Sequence, residues 1–196
     1  RRFDSAKKEF NSLQKRLEEI DTTGWPIYHQ IDWQVVRAEM NGYDFNQRVL
    51  RPWVRDPAFY QTVWMYQSDV PAHEGPTNHG TLEFWTYEFP LDDESSNNLA
   101  NQLNMIPHFL FQAKGNLTGD ARDLWVAGIE NFKEQAENID VIEAKIIKHH
   151  GNSLDKVLKN PLKKASEANN DFIQWLVDKA PSKKGPSGIG KENYSW

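Results

Sequence analysis

The residues best suited to metal chemistry in this chain are its six histidines, and His73 stands out because Glu74 follows it. A His-Glu pair opens the zinc-peptidase motif HExxH, in which a second His, four residues after the first, shares its helix face. Here that position is Thr77, and the next histidine, His79, lies six residues on among prolines and glycines. The spacing predicts a solvated loop rather than a zinc site, so we predict no metal ligand in this chain.

The other polar clusters lack the spacing that catalysis requires. His149 and His150 are adjacent, so on a helix their rings point about 100° apart and do not chelate together. The carboxylates of 92–94 and of Glu130, Glu134 and Glu137 fall at a helix start or on a polar face, where solvation is the simpler role. The chain has no cysteine and neither a GxSxG nor a GxxxxGK[ST] motif. We predict no catalytic residue.

Apolar residues instead repeat with helical spacing along most of the chain. The clearest stripe, in 99–117, consists of Leu99, Leu103, Ile106, Leu110, Ala113 and Leu117. Other stripes lie near the N-terminus, in 121–146 and in 154–176. The second N-terminal stripe includes Tyr28, Ile31, Val35 and Ala38. The pattern predicts an all-α fold, an irregular bundle of about five to seven helices that buries one shared core. We predict a single domain over 1–196.

Helix breakers divide this pattern. Asp56-Pro57 is typical of an N-cap followed by a first-turn proline. Gly42 lies inside a stripe, which indicates a close approach of another helix. Prolines and glycines over 68–80 predict a mid-chain loop, and 180–196 is a second predicted loop. Residues 81–91 fit either a short strand or an irregular helical turn, and the surrounding helices favour the turn.

Composition narrows the classes of partner. The net charge of −5 provides no basic footprint for nucleic acid. No run of about 18 apolar residues is present, so we predict no membrane span. Without cysteine the compartment stays open between the cytoplasm and export after signal removal. An apolar surface left exposed would favour association of the chain into a homo-oligomer.

The chain is rich in aromatic side chains, which offers one candidate binding site. The aromatic residues of 59–66 are too evenly distributed to define one helix face. The candidates for the wall of a ligand or protein site are Tyr60, Trp64, Tyr66, Trp85 and Tyr87, although most aromatic residues of this kind serve a core. A stand-alone all-α binding module is therefore an alternative function.

Several landmarks in order resemble one protein family. They are Arg51-Pro52-Trp53, Asp56-Pro57-x-x-Tyr60, Asn104 to Leu110 with Ala113 and Asn116-Leu117, Asp171-Phe172-Ile173-x-Trp175-Leu176, and Gly188-Ile189-Gly190-Lys191-Glu192-x-Tyr194. Across nearly the whole chain this set resembles the N-terminal half of the bacterial family called domain of unknown function 885.

The resemblance implies a helical fold similar to that of zinc metallopeptidases. In that family an HExxH-type zinc motif lies downstream of the stretch that resembles 188–194, so none of its ligands is carried over to a residue of this chain. The resemblance thus implies that the chain is a fragment, with 180–196 leading into a C-terminal half that binds zinc and through which peptide substrate is bound. We expect the chain by itself to be a non-catalytic scaffold that walls one side of a peptide cleft.

Overall fold

The computed structural model describes residues 2–67, 82–150 and 156–195, and the side chains of 7–67, 82–149 and 157–195. The fold is an all-α multi-helix bundle, as predicted, with five long helices and one two-residue strand pair in the described residues. It divides into two compact units, Arg1–Arg51 and Pro52–Trp196, called the N-terminal and C-terminal units below. The single domain over 1–196 stays a prediction. The predicted mid-chain loop, 68–80, lies outside the described residues.

The N-terminal unit is a pair of helices, α1 (Arg2–Glu18) and α2 (Ile27–Phe45), followed by a short π-helix, Asn46–Leu50. In the connecting turn, the Asp21 carboxylate accepts a hydrogen bond from the backbone N–H of Thr23 at 2.9 Å. Hydrogen bonds from Thr23 lower the pKa of Asp21. Glycine at position 24 then provides a backbone φ of +78° before Pro26, the N-cap residue of α2.

Few contacts hold these two helices together. The indole N–H of Trp33 donates to the carbonyl oxygen of Leu17 at 3.0 Å, and the Gln14 amide donates to Asn41 at 3.1 Å. The rings of Phe10 and Tyr43 lie with their centroids 4.7 Å apart. No residue of α2 is buried.

The burial predicted for the apolar stripe of α2 is therefore wrong. Tyr28, Ile31, Val35 and Ala38 share one face, as the spacing indicates, but all four are exposed. The close approach predicted at Gly42 is also absent among the described residues, because a Cβ added there would meet no neighbouring atom within 4 Å. The periodicity identified the face correctly, but α1, the other helix of this unit, does not cover it.

The C-terminal unit begins with short elements. Helix α3 (Pro52–Arg55) leads into a 3₁₀ turn, Pro57–Tyr60, and two-residue strands β1 (Val63–Trp64) and β2 (Leu82–Glu83) pair in parallel. A second 3₁₀ turn, Phe84–Thr86, follows β2. Of the region 81–91, the described residues 82–91 thus contain a short strand and then a single helical turn.

The predicted cap at Asp56 is confirmed. Its carboxylate accepts a hydrogen bond from the N–H of Ala58 at 2.9 Å, and Pro57 occupies the first turn. Burial raises the pKa of Asp56 despite this bond. The acidic start predicted at 92–94 is confirmed as well, because the Asp92 carboxylate accepts from the N–H of Ser95 at 2.8 Å.

Three long helices make the core of this unit. They are α4 (Asp93–Asn116), α5 (Arg122–His150) and α6 (Lys156–Lys179), and α4 and α5 both pack against α6. All six apolar residues of the 99–117 stripe are buried, as predicted. The stripes of α5 and α6 add large buried side chains, among them Trp125, Phe132, Ile139, Ile142, Leu158 and Phe172. The shared core predicted from the sequence is thus confirmed for this unit.

The last segment of the chain is anchored to this core. After a 3₁₀ turn, Ala180–Ser182, the chain runs to a one-turn helix, α7 (Lys191–Tyr194), so the predicted loop over 180–196 contains two helical turns. The guanidinium of Arg55 donates to the carbonyl oxygens of Pro186, Ser187 and Gly188 at 3.3, 2.9 and 3.3 Å.

Candidate functional site

Tyr60, the first of the five aromatic candidates, belongs to the core. Its side chain is buried, with the residue 3% exposed, and its hydroxyl donates to the carbonyl oxygen of Trp53 at 2.8 Å. The same hydroxyl accepts from the side-chain amide of Asn116 at 3.0 Å. Burial raises the pKa of Tyr60, and the bond from Asn116 partly opposes this. Because its polar atom is engaged on both sides, Tyr60 has a structural role.

Tyr87 is also held by the fold. It is half-buried, and its hydroxyl donates to the side-chain oxygen of Gln102 on α4 at 2.9 Å. Burial raises the pKa of this phenol too. Its ring centroid lies 6.2 Å from that of Phe84, a buried residue. Tyr87 therefore fixes the segment after β2 to the helices.

The remaining three candidates reach the surface and form what we call the aromatic edge: Trp64, Tyr66 and Trp85. Trp64 and Glu83 are register partners in the β1–β2 pair, and both point outward while Val63 and Leu82 point into the core. Trp64 is 44% exposed and Tyr66 83%, and Trp85 is half-buried.

The exposed rings of this edge lie beside the carboxylate of Glu83, the register partner of Trp64. Such a surface suits contact with apolar or cationic side chains. The structure therefore divides the predicted set into two tyrosines whose hydroxyls are hydrogen-bonded within the fold and three rings that reach the surface. Alternation along the strand pair accounts for the outward position of Trp64 alone, because the other four candidates lie outside the two strands.

A buried polar network fixes the aromatic edge to the helices. The side-chain oxygen of Gln135 on α5 accepts from the backbone N–H groups of Thr62 and Val63 at 2.7 and 3.0 Å. The Gln135 amide nitrogen donates to Asn169 on α6 at 2.8 Å, and Asn169 donates to the carbonyl of Phe132 at 3.0 Å.

Sequence reasoning missed both side chains of this network, because an apolar stripe is recognised by its apolar members alone. Gln135 follows Phe132 by three residues, and Asn169 precedes Phe172 by three. A polar residue at a stripe position is the signal that could have identified them.

A second cluster packs around the aromatic residues that follow β2. The ammonium of Lys145 lies 5.1 Å from the ring centroid of Phe84 and 4.5 Å from that of Phe89, a cation–π arrangement. The ring of His149, in the last turn of α5, lies 5.2 Å from Phe89. Lys145 and His149 thus pack against aromatic rings that frame β2.

The described residues contain no group of three or more His, Asp or Glu side chains that could share a metal ion. His73, Glu74 and His79 lie outside the described part of the chain. His108 lies on α4, where its ring nitrogen is 2.8 Å from the Gln112 amide.

In the described helices no stretch is both long and apolar enough to span a bilayer. No protein-family model, curated protein or solved structure matches this chain in the comparisons with known proteins.

Proposed function

We propose that this chain is the non-catalytic helical scaffold and substrate-cleft half of a zinc-dependent peptidase-like protein of the domain of unknown function 885 family. The observation that carries the proposal is the way in which the family-like sequence landmarks meet in one packed frame. Zinc chemistry would then belong to polypeptide outside these 196 residues, and peptide substrate would be the partner that both halves share.

The first two landmarks are joined by a hydrogen bond. Tyr60, which ends Asp56-Pro57-x-x-Tyr60, donates to the carbonyl of Trp53, which ends Arg51-Pro52-Trp53. Asn116, from the third landmark, donates to the same hydroxyl. Two neighbouring landmarks and a third from a distant helix are thus joined at one oxygen atom.

The remaining landmarks pack onto the same unit. Phe172 and Leu176 of the fourth landmark are buried, and so are Ile106 and Leu110 of the third. The fifth landmark is tied in by Arg55, which donates to the carbonyl of its first residue, Gly188. This arrangement supports a role in shaping a frame, because the landmark residues serve packing and backbone hydrogen bonds.

On this proposal the aromatic edge is this chain's contribution to the cleft wall. Its rings lie on the surface, held from below by Gln135 through the N–H groups of Thr62 and Val63. A peptide would pack its apolar side chains on Trp64 and Tyr66 while a zinc site elsewhere performs hydrolysis.

The first test is a peptidase assay of the purified chain with added zinc, using a mixed peptide library and mass spectrometry. We expect no hydrolysis, and less than one zinc per chain after dialysis. Turnover that depends on zinc and survives purification to homogeneity would contradict the non-catalytic role.

The second test reads the coding sequence beyond Trp196 for a His-Glu-x-x-His segment and assays the extended protein. In that protein, we expect Trp64→Ala with Tyr66→Ala to raise KM several-fold with little change in kcat. Phe111→Ala, which removes another exposed ring from α4, is the matched control. Equal effects of both variants on KM would show that the aromatic edge is not part of the cleft.

A stand-alone binding module is a second candidate, favoured by the exposure of Trp64 and Tyr66. It predicts that the coding sequence stops near Trp196. It also predicts that the 196-residue chain binds apolar peptides, with a loss of affinity in the same Trp64→Ala, Tyr66→Ala variant.

A further inference from the structure

Helix α2 of the N-terminal unit exposes a continuous apolar face. Tyr28, Ile31, Val35 and Ala38 follow one another at steps of three and four residues, and Gly42 continues the row. The opposite face of α2 contacts α1, through Trp33 to Leu17 and Asn41 to Gln14. The apolar row, which we call the α2 stripe, therefore points away from the helix paired with α2 in its unit.

The stripe borders a shallow groove of about 420 Å³. The groove is lined by Thr22 from the preceding turn and by six residues of α2, namely Ile27, Gln30, Ile31, Gln34, Val35 and Ala38. It therefore lies toward the Gln34 side of the stripe. Ile27 is 75% exposed, and Ile31 and Val35 are each 56% exposed. An apolar groove of this kind accommodates the anchor residues of an amphipathic helix.

Charge along the stripe is one-sided. Asp32 and Glu39 are seven residues apart, so both lie along one edge of the stripe, and both are exposed. The imidazole of His29 is 3.7 Å from the Asp32 carboxylate at this edge. Gln34 lies on the other edge. The single Arg or Lys of α2, Arg37, points about 200° from Val35 and lies 5.6 Å from the ring of Trp33.

We propose that the α2 stripe docks an amphipathic helix of another protein, one that carries an apolar row with Lys or Arg along one edge. The basic edge would lie against Asp32 and Glu39, and the apolar row would pack along the stripe and the groove beside it. A second copy of this chain offers no basic edge, because an antiparallel pair of α2 helices places the two acidic edges together and a parallel pair places each acidic edge beside Gln34. The inference concerns the N-terminal unit and does not rest on the proposed function.

Gly42 provides a sharp steric test, because a Cβ added there meets no neighbouring atom of this chain within 4 Å. A larger side chain at this position is therefore compatible with the chain alone, and it removes the helix penalty of glycine. It would nevertheless stand between α2 and a helix docked on the stripe. Loss of binding in Gly42→Gln would thus report on docking rather than on unfolding.

The experiment measures fluorescence anisotropy of two synthetic labelled helical peptides added to the 196-residue chain. Both have the same Leu/Ile row, and one carries Lys and the other Glu along the same edge. We expect the Lys peptide to bind about tenfold more tightly, which two exposed ion pairs and the avoided repulsion can supply. The double variant Asp32→Lys, Glu39→Lys should reverse this preference, and Gly42→Gln should weaken binding of the Lys peptide at least about tenfold.

A matched control is the reversal Glu130→Lys with Glu134→Lys on α5, which should leave the preference unchanged. Equal binding of the two peptides would overturn the proposal, since apolar contact alone would then explain it. Binding of neither peptide would also overturn it. In that case sedimentation would distinguish a dimer of this chain, which favours a second copy, from a monomer whose stripe takes no helix.

Discussion

The two compact units use the same apolar spacing with opposite results. In the C-terminal unit, Leu103 and Ile106 lie on one face of α4 and are completely buried. In the N-terminal unit, Ile31 and Val35 repeat with a similar helical step on α2 and are more than half exposed. The difference shows that helical periodicity determines which side chains share a face, while a second element decides whether that face leaves water.

The two units also differ in how they use polar side chains. In the C-terminal unit, Gln135 and Asn169 are buried and hydrogen-bonded, and they join β1 to α5 and α6. In the N-terminal unit, Gln14 and Asn41 form a partly buried bond between two helices, of which α2 has no buried residue. The C-terminal unit is thus stabilised by a buried core and buried hydrogen bonds, and the N-terminal unit by a few contacts between its helices.

The largest expected difference between the units is the loss of stability when a large apolar side chain is truncated. Phe132→Ala should lower the free energy of unfolding by about 3–5 kcal/mol, because a fully buried ring leaves a cavity. Ile31→Ala should change it by about 0.5 kcal/mol or less, as at other surface sites. Urea denaturation of both variants measures the contrast. A comparable loss in Ile31→Ala would mean that the α2 stripe is covered in solution.

The next largest effect concerns the buried network. Gln135→Met keeps a similar side-chain volume but removes the acceptor for the N–H groups of Thr62 and Val63. Leaving these donors unsatisfied should cost about 3 kcal/mol in the free energy of unfolding. Gln34→Met on α2 is the matched control and should be close to neutral. A small loss at Gln135 would show that water replaces the lost bonds.

Two helix glycines sharpen the comparison because the same substitution should have opposite signs. In Gly128→Ala the new Cβ would lie 2.6 Å from the Cβ of Pro57, so we expect a loss of about 1–3 kcal/mol. In Gly42→Ala no neighbouring atom lies within 4 Å, and better helix propensity should add up to about 1 kcal/mol. Thermal unfolding of the two variants checks both signs. A destabilised Gly42→Ala would reveal a neighbour at α2.

The smallest effect appears at high pH. Burial raises the pKa of Tyr60, so as the pH rises past about 10 the unfolded chain loses this proton before the folded chain does. The unfolded state then gains relative to the folded one, and stability falls with rising pH. Tyr60→Phe should cost about 1 kcal/mol at neutral pH and make this decline shallower. Tyr43→Phe, a half-exposed tyrosine of the N-terminal unit, is the control, and an equal change in slope would contradict the assignment.

Much of the C-terminal unit could be predicted from sequence. The α4 stripe, the Asp56 cap and the acidic start of α4 are all local signals, and the structure confirms them. Burial on α2 could not be predicted in the same way. Val35 and Leu103 carry the same local pattern, and only distant packing distinguishes them.

The candidate site was harder to predict. Tyr60 and Trp64 are four residues apart, which on one helix would place them on the same face, but here a turn and a strand separate their directions. The Tyr60 hydroxyl is held by Asn116 from a distant helix, and Trp64 points outward in a strand that pairs with β2. Neither long-range partner is visible in the local sequence.

The bonds from Arg55 to the carbonyls of 186–188 have a consequence for synthesis on the ribosome. They join positions more than 130 residues apart in the chain. At typical rates of about 5–20 residues per second, Arg55 leaves the ribosome on the order of ten seconds before its acceptors exist. Nascent α3 therefore emerges with its guanidinium hydrated, and Arg55 makes these bonds only after translation has passed residue 188.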